Sequence, residues 1–311
     1  MVAFSIPRVL VNVLLVFLTA LPVLIFKTAV TPFKRGFYCD DESLRYPYKA
    51  DTISTVVLII FGFSIPVLMI SLFEVYRLFI EGRAASPRNL PVYLLAGKQI
   101  HRLVVRLYIF LGFLLFGAAL NQVLTDIGKY YIGRLRPHFI YLCHPSLIKT
   151  PCTNHLYLVE ECQARNARRA TEARLSFPSG HASFSFFVAT YLVLYLEARV
   201  FWTLYSPLCK PLLQFACVAL AAACAYSRIS DYKHHWSDVL AGSLLGFTVA
   251  LVVGVFVARL FKRREIPRHF GEEGADDGAA DAILTLSELE LKKSSRSTPV
   301  LQPSQGQNTE V

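Results

Sequence analysis

The chain has 311 residues, a formal net charge of +10 at pH 7, 54% hydrophobic and 17% charged residues, and a mean hydropathy of +0.44. That is too apolar for an ordinary soluble domain and fits a protein that crosses a bilayer several times. Residues 262–311 hold seven Lys/Arg against nine Asp/Glu, so the positive excess belongs to the spans and their loops. It points to anionic head groups or a phosphate-bearing substrate, and away from nucleic acid.

In chain order, six apolar stretches of about 20 residues, the length a bilayer core requires, lie near 9–30, 53–73, 103–125, 182–201, 212–227 and 237–261. The expected class is all-α, a polytopic membrane protein with six transmembrane helices. The first stretch is too long for a removable signal peptide and lacks the small-residue cleavage pattern. An even number of spans puts both termini on one side and the loops 31–52, 126–181 and 228–236 on the other. Cys39, Cys143, Cys152 and Cys162 all fall in those loops. They are candidates for disulfides on a luminal or extracellular face, with the three pairings open. Cys209, Cys217 and Cys224 sit in or beside one apolar run and read as inert core residues. The loop at 80–102 and the Lys262-Arg263-Arg264 cluster fall on the cytosolic side, as the positive-inside rule expects. The loop 126–181 is itself rich in Lys and Arg, so charge counting alone does not fix the orientation. The division is a membrane domain, 1–262, with site loops 126–181 and 227–238, and a mobile cytosolic tail, 263–311. The chain ends Thr309-Glu310-Val311, a candidate ligand for a PDZ-type groove.

Three segments on the outer side carry chemistry. Lys129 and Arg136-Pro137 follow the third span; Phe177-Pro178-Ser179-Gly180-His181 precedes the fourth; Ser227-Arg228 through His234 to Asp238 precedes the sixth. Taken singly, each has a plain reading: cations at an interface, a helix start, ordinary polar decoration. Together, three cations, two histidines and one carboxylate gather where a phosphate could sit. Gly180 lets backbone approach a ligand, and the first amides of the following helix form an anion site. His234 and Asp238 are four apart and would share a helix face, with the carboxylate fixing the imidazole tautomer. A metal site on His181, His234 and Asp238 is disfavoured, because Lys129, Arg136 and Arg228 would repel a dication. The cations instead stand where magnesium would act in phosphoryl transfer. Arg134 and His138 gain no role from sequence, and His235 reads as structural or lipid-facing.

The pattern Lys129-x6-Arg136-Pro137, Pro178-Ser179-Gly180-His181, Ser227-Arg228-x5-His234-x3-Asp238 resembles the three-part signature of the type 2 phosphatidic acid phosphatase superfamily, complete at every position. Within it, Arg35-Gly36-Phe37-Tyr38-Cys39, Tyr46-Pro47-Tyr48-Lys49 and Ile132-Gly133-Arg134-Leu135-Arg136-Pro137 resemble the animal lipid phosphate phosphatases over roughly residues 8–262. The resemblance implies a magnesium-independent membrane phosphatase with no cofactor, acting on phosphatidate, lysophosphatidate, sphingosine 1-phosphate and ceramide 1-phosphate. In it His234 is the nucleophile, His181 the acid and base, and Asp238 the partner of His234. Lys129, Arg136, Ser179, Gly180 and Arg228 bind phosphate. A plasma-membrane location with an extracellular site is expected, with endomembranes as the other setting; a homo-oligomer is left open. The alternatives are a catalytically silent lipid-phosphate-binding or scaffold protein, a phospholipid transporter, and a sugar-phosphate phosphatase. One departure from the family is plain: no Asn-x-Ser/Thr sequon occurs in the chain, and Asn154-His155-Leu156 stands in the loop where members usually carry one.

Overall fold

The computed structural model describes residues 2–84, 92–143, 157–158, 167–200 and 206–262. The helices are α1 (Ile6–Thr28), α2 (Thr55–Ala84), α3 (Arg102–Ile132), α4 (Phe139–Cys143), α5 (Ala167–Glu172), α6 (Gly180–Arg199), α7 (Cys209–Ser230) and α8 (Trp236–Leu251). A π-helical stretch, Val252–Val257, continues α8. Among these, α1, α2, α3, α6, α7 and α8 are long and apolar enough to cross a membrane, as the apolar runs lead one to expect.

Two spans outrun their hydropathy. The apolar signal of the third fades near 125, yet α3 continues to Ile132; that of the fifth fades near 227, yet α7 continues to Ser230. The polar residues of the extra turns, Thr125, Asp126 and Arg228, are buried against protein. A window average registers polarity but not direction, so it cuts such helices short. Lys129 and Arg228 therefore ride on the last turns of helices and not in loops.

The outer helix α1 has no buried residue, as an apolar rod facing lipid requires, and is tied to α3 where Asn12 donates to the Tyr108 hydroxyl at 3.1 Å. At the centre stands α6, with Phe187, Tyr191, Leu192, Tyr195 and Leu196 fully enclosed and α2, α3, α7 and α8 packed around it. The α6–α8 approach depends on two glycines. A Cβ on Gly242 would collide with the Ser179 carbonyl, and one on Gly246 with the Ser183 carbonyl. With no hydrophobic drive between spans in lipid, such backbone proximity supplies the packing.

The two ends of the bundle differ. At one end Val2–Phe4 pairs in parallel with Tyr93–Leu95, which pairs antiparallel with Lys98–Ile100. The N-terminus thus lies beside the α2–α3 connection, as an even number of spans demands. At the other end Phe37–Tyr38 pairs antiparallel with Tyr157–Leu158. Here Phe37, Cys39, Leu44, Leu135, Phe139, Cys143 and Ala173 form a small core outside the spans. Cys39 and Cys143 are both disulfide-bonded, while Cys209, Cys217 and Cys224 are free thiols. Cys152 and Cys162 lie outside the described residues. The chain divides into Met1–Glu265 and Ile266–Val311; the second unit, with Thr309, Glu310 and Val311, also lies outside them.

Candidate active site

The end of α3 delivers the first two cations. Gly133 caps the helix in the left-handed conformation, φ +57°, with its N–H on the Lys129 carbonyl at 3.1 Å. A Cβ there would collide with the Phe33 carbonyl, so glycine is required both for the turn and for the close approach. Lys129 stays on the helix, and the chain beyond the turn carries Arg134 and Arg136. The Arg136 amide donates to the Ala173 carbonyl at 2.9 Å, pinning this segment to the stretch that leads into α6.

Ser179 is the N-cap of α6, and its amide donates to the Asp238 carbonyl at 3.0 Å. A Cβ on Gly180 would lie 3.0 Å from Lys129 Nζ, and one on Gly128 would lie 2.6 Å from Pro178 Cδ. The signature segments therefore meet at one end of α3, α6 and α8.

His234 departs from the expected geometry. α7 ends at Ser230 and α8 begins at Trp236, so His234 precedes the N-cap His235 and shares no helix face with Asp238. Its Nδ1–H donates to the Ser176 carbonyl at 2.7 Å, and Asp238 Oδ2 is 4.0 Å away. The carbonyl fixes the tautomer: Nδ1 carries the proton and Nε2 keeps the lone pair. Asp238 is fully buried and takes its bonds elsewhere. Oδ2 accepts from Ser176 Oγ at 2.6 Å, from the His235 amide at 3.0 Å and from His235 Nδ1 at 3.1 Å. Oδ1 pairs with Arg134 Nη1, which also donates to Ser237 Oγ at 2.8 Å. Asp238 thus closes a capping box with His235 and reaches His234 through Ser176.

His181 donates Nε2–H to the Ile53 carbonyl at 3.2 Å, which leaves Nδ1 available. Among the described residues, Lys129 and the Arg136 guanidinium have no hydrogen bond or ion pair, and Arg136 Nε is buried without a partner. Arg228, 1% exposed, is instead fully engaged. It donates to Ser227 Oγ, to Asp231 Oδ2 at 3.0 Å and to Asp51 Oδ1 at 2.8 Å. Burial holds the His234 pKa well below the ordinary imidazole value, and the charges of Arg136, Lys129 and His181 add to this; the Ser176 carbonyl opposes it only in part. Burial likewise lowers the Arg136 pKa, with Glu172 and Asp51 opposing and Arg228 reinforcing. His234 is thus a neutral imidazole beside the cations Lys129 and Arg136. Among the described residues no three His, Cys, Asp or Glu are grouped to hold a metal ion.

Residues 110–262 match the PAP2 superfamily. Over 279 residues the chain is 39% identical to phospholipid phosphatase 2 of Homo sapiens, spanning 90% of this chain and 92% of that protein. It is also 41% identical over 259 residues to phospholipid phosphatase 1 of Rattus norvegicus, 83% of this chain and 88% of that one. The chain belongs to the phospholipid phosphatase family. No solved structure matches it.

For this phospholipid phosphatase homologue, the structure gives places to residues that sequence left unassigned. Arg134 holds Asp238; His235 caps α8; His138 donates Nδ1–H to the Tyr232 carbonyl at 2.8 Å. Ser176 carried no signal; it serves His234 through its backbone carbonyl, which has no residue type, and Asp238 through its hydroxyl. The loop ahead of α2 carried the family resemblance at Tyr46-Pro47-Tyr48-Lys49, but no signal in the residues just after it. Its Asp51 and Ile53 touch Arg228 and His181, although the motifs that named those two residues lie more than a hundred residues away.

Proposed function

We propose that this protein hydrolyses lipid phosphate monoesters through a phosphohistidine on His234, without a metal ion. The observation that carries the proposal is the His234 imidazole, held by Ser176 and lying near Lys129 and Arg136, two cations that have no hydrogen bond or ion pair among the described residues.

Nε2 attacks phosphorus in line as the bond to the lipid oxygen breaks. His181, protonated only once the anionic phosphate is bound, gives its Nδ1 proton to that oxygen, with Nε2–H anchored on the Ile53 carbonyl. Neutral His181 then takes a proton from water, whose oxygen attacks phosphorus. The N–P bond breaks, and inorganic phosphate and neutral His234 are left. Lys129, Arg136 and Arg228 balance charge on the non-bridging oxygens, helped by the Ser179 hydroxyl and the Gly180 amide at the start of α6. Asp238, 4.0 Å from Nδ1, stabilises the cationic ring through space and keeps Ser176 in position. Phosphatidate, lysophosphatidate, sphingosine 1-phosphate and ceramide 1-phosphate suit a site at a bundle end, because only the head group must leave the bilayer. The site faces the lumen or the cell exterior, at the plasma membrane or an internal one.

The test is phosphate release from lysophosphatidate in detergent with excess EDTA, comparing wild type with His234→Ala. Release by wild type alone is expected. Release by folded His234→Ala would remove His234 as nucleophile, and release only with added magnesium would end the metal-free proposal.

A further inference from the structure

The loop 46–53 touches all three signature segments, at Pro137, at His181 and at Arg228. The Tyr46 amide donates to the Pro137 carbonyl at 3.1 Å, and its ring stacks on Tyr232 at 4.7 Å. Lys49 Nζ lies 3.2 Å from Asp231 Oδ1, while the Thr52 amide and hydroxyl each donate to the Asp231 carboxylate at 2.7 Å. The Ile53 carbonyl holds His181. Within this strap Asp51 is the one carboxylate aimed at the site cations: it accepts from Arg228 Nη1 at 2.8 Å and lies 3.9 Å from Lys233 Nζ. Its charge also bears on Arg136 and His138.

The two carboxylates on Arg228 are held very differently. Asp231 is fully buried and braced by Thr52 and Lys49, so its grip on Nη2 is permanent. The Asp51 side chain is 42% exposed and holds Nη1 through a single hydrogen bond. An oxygen of Asp51 on Nη1 has the charge and geometry that a phosphate oxygen would bring there. We propose that Asp51 is a further residue of the phosphate site: its carboxylate holds the Nη1 edge of Arg228 until the phosphate of the substrate displaces it. This rests on the phosphatase proposal above and adds a consequence. Asp51 keeps the buried guanidinium oriented in the empty site and weakens binding of every phosphate, product included, so that phosphate leaves after turnover.

The experiment is calorimetric titration of inorganic phosphate into the full-length protein in detergent, for wild type, Asp51→Asn, Asp51→Ser and Asp51→Glu, alongside KM and kcat for lysophosphatidate. Asp51→Asn and Asp51→Ser should bind phosphate roughly fivefold tighter, the scale of a half-exposed ion pair, with a parallel fall in KM. Asp51→Glu, which still competes, should match wild type. Phosphate binding by wild type with equal or weaker binding by whichever neutral variant folds would overturn the proposal, as Asp51 would then only position Arg228. A wild type that neither binds phosphate nor releases it from lysophosphatidate would overturn the phosphatase proposal together with this one.

Discussion

At the residue scale, hydrogen-bond partners decide more than residue types do. The resemblance named His234 and Asp238, but their spacing misled: they share no helix face, and the link between them runs through Ser176 and its carbonyl. His138 shows the same limit. Buried 2% exposed, it donates to the Tyr232 carbonyl and packs edge-on against Tyr48. Burial, aided by Arg136 and Lys233 and opposed by the Tyr232 carbonyl and Asp51, pushes its pKa from 6.5 down to about 4. Between those values the unfolded chain binds a proton that the folded protein refuses. Stability is therefore undiminished above about 6.5 and falls as pH drops towards 4, by on the order of 3 kcal/mol from this residue. Thermal unfolding in detergent between pH 7 and 4.5 should show the decline. His138→Gln, which keeps a donor for Tyr232, should be less pH-sensitive; an equal slope in that variant would remove His138 as the cause.

At the scale of elements, the site is only as good as the seating of α8 on α6. The Ser179 amide on the Asp238 carbonyl, and Gly242 against Ser179, join the starts of the two helices, and Gly246 one turn on keeps them close. Gly246→Ala would push the Ser183 carbonyl away. The overpacking should cost about 1–3 kcal/mol, read as a lower unfolding temperature in detergent, and should reduce kcat because Asp238 shifts relative to Ser179. Unchanged stability and turnover would show that the interface tolerates a methyl group. The existence and order of the spans were readable from hydropathy, since lipid-facing surfaces must be apolar all round, as α1 is. The last turns of α3 and α7 were not, because their polar residues face protein.

At the scale of the whole molecule, the buried charge among the described residues gathers at two levels of the bundle. Near the start of α3, Glu74 is fully enclosed and accepts from the Tyr195 hydroxyl at 2.9 Å and from Arg199 Nε at 3.2 Å, with Arg106 Nη1 at 3.5 Å. This network clamps α2, α3 and α6 at the end away from the site. The sequence showed apolar runs with few polar groups; it could not show that those few meet, as buried charges in a span must. At the other end, among the described residues, Lys129 and the Arg136 guanidinium have no hydrogen bond or ion pair, and under the phosphatase proposal a phosphate would balance them. The spans were legible because lipid imposes a composition and the signature because its residue spacing is specific, whereas the roles of Asp51 and Ile53 depend on contacts that only the folded chain makes.

The most direct measurement is a single-turnover quench of the full-length enzyme with lysophosphatidate labelled in its phosphate, under alkaline conditions that preserve phosphohistidine, followed by peptide mapping. The account predicts label on Nε2 of His234, appearing with loss of substrate and decaying to inorganic phosphate. Label on another residue, or turnover with inverted configuration at phosphorus, would contradict it.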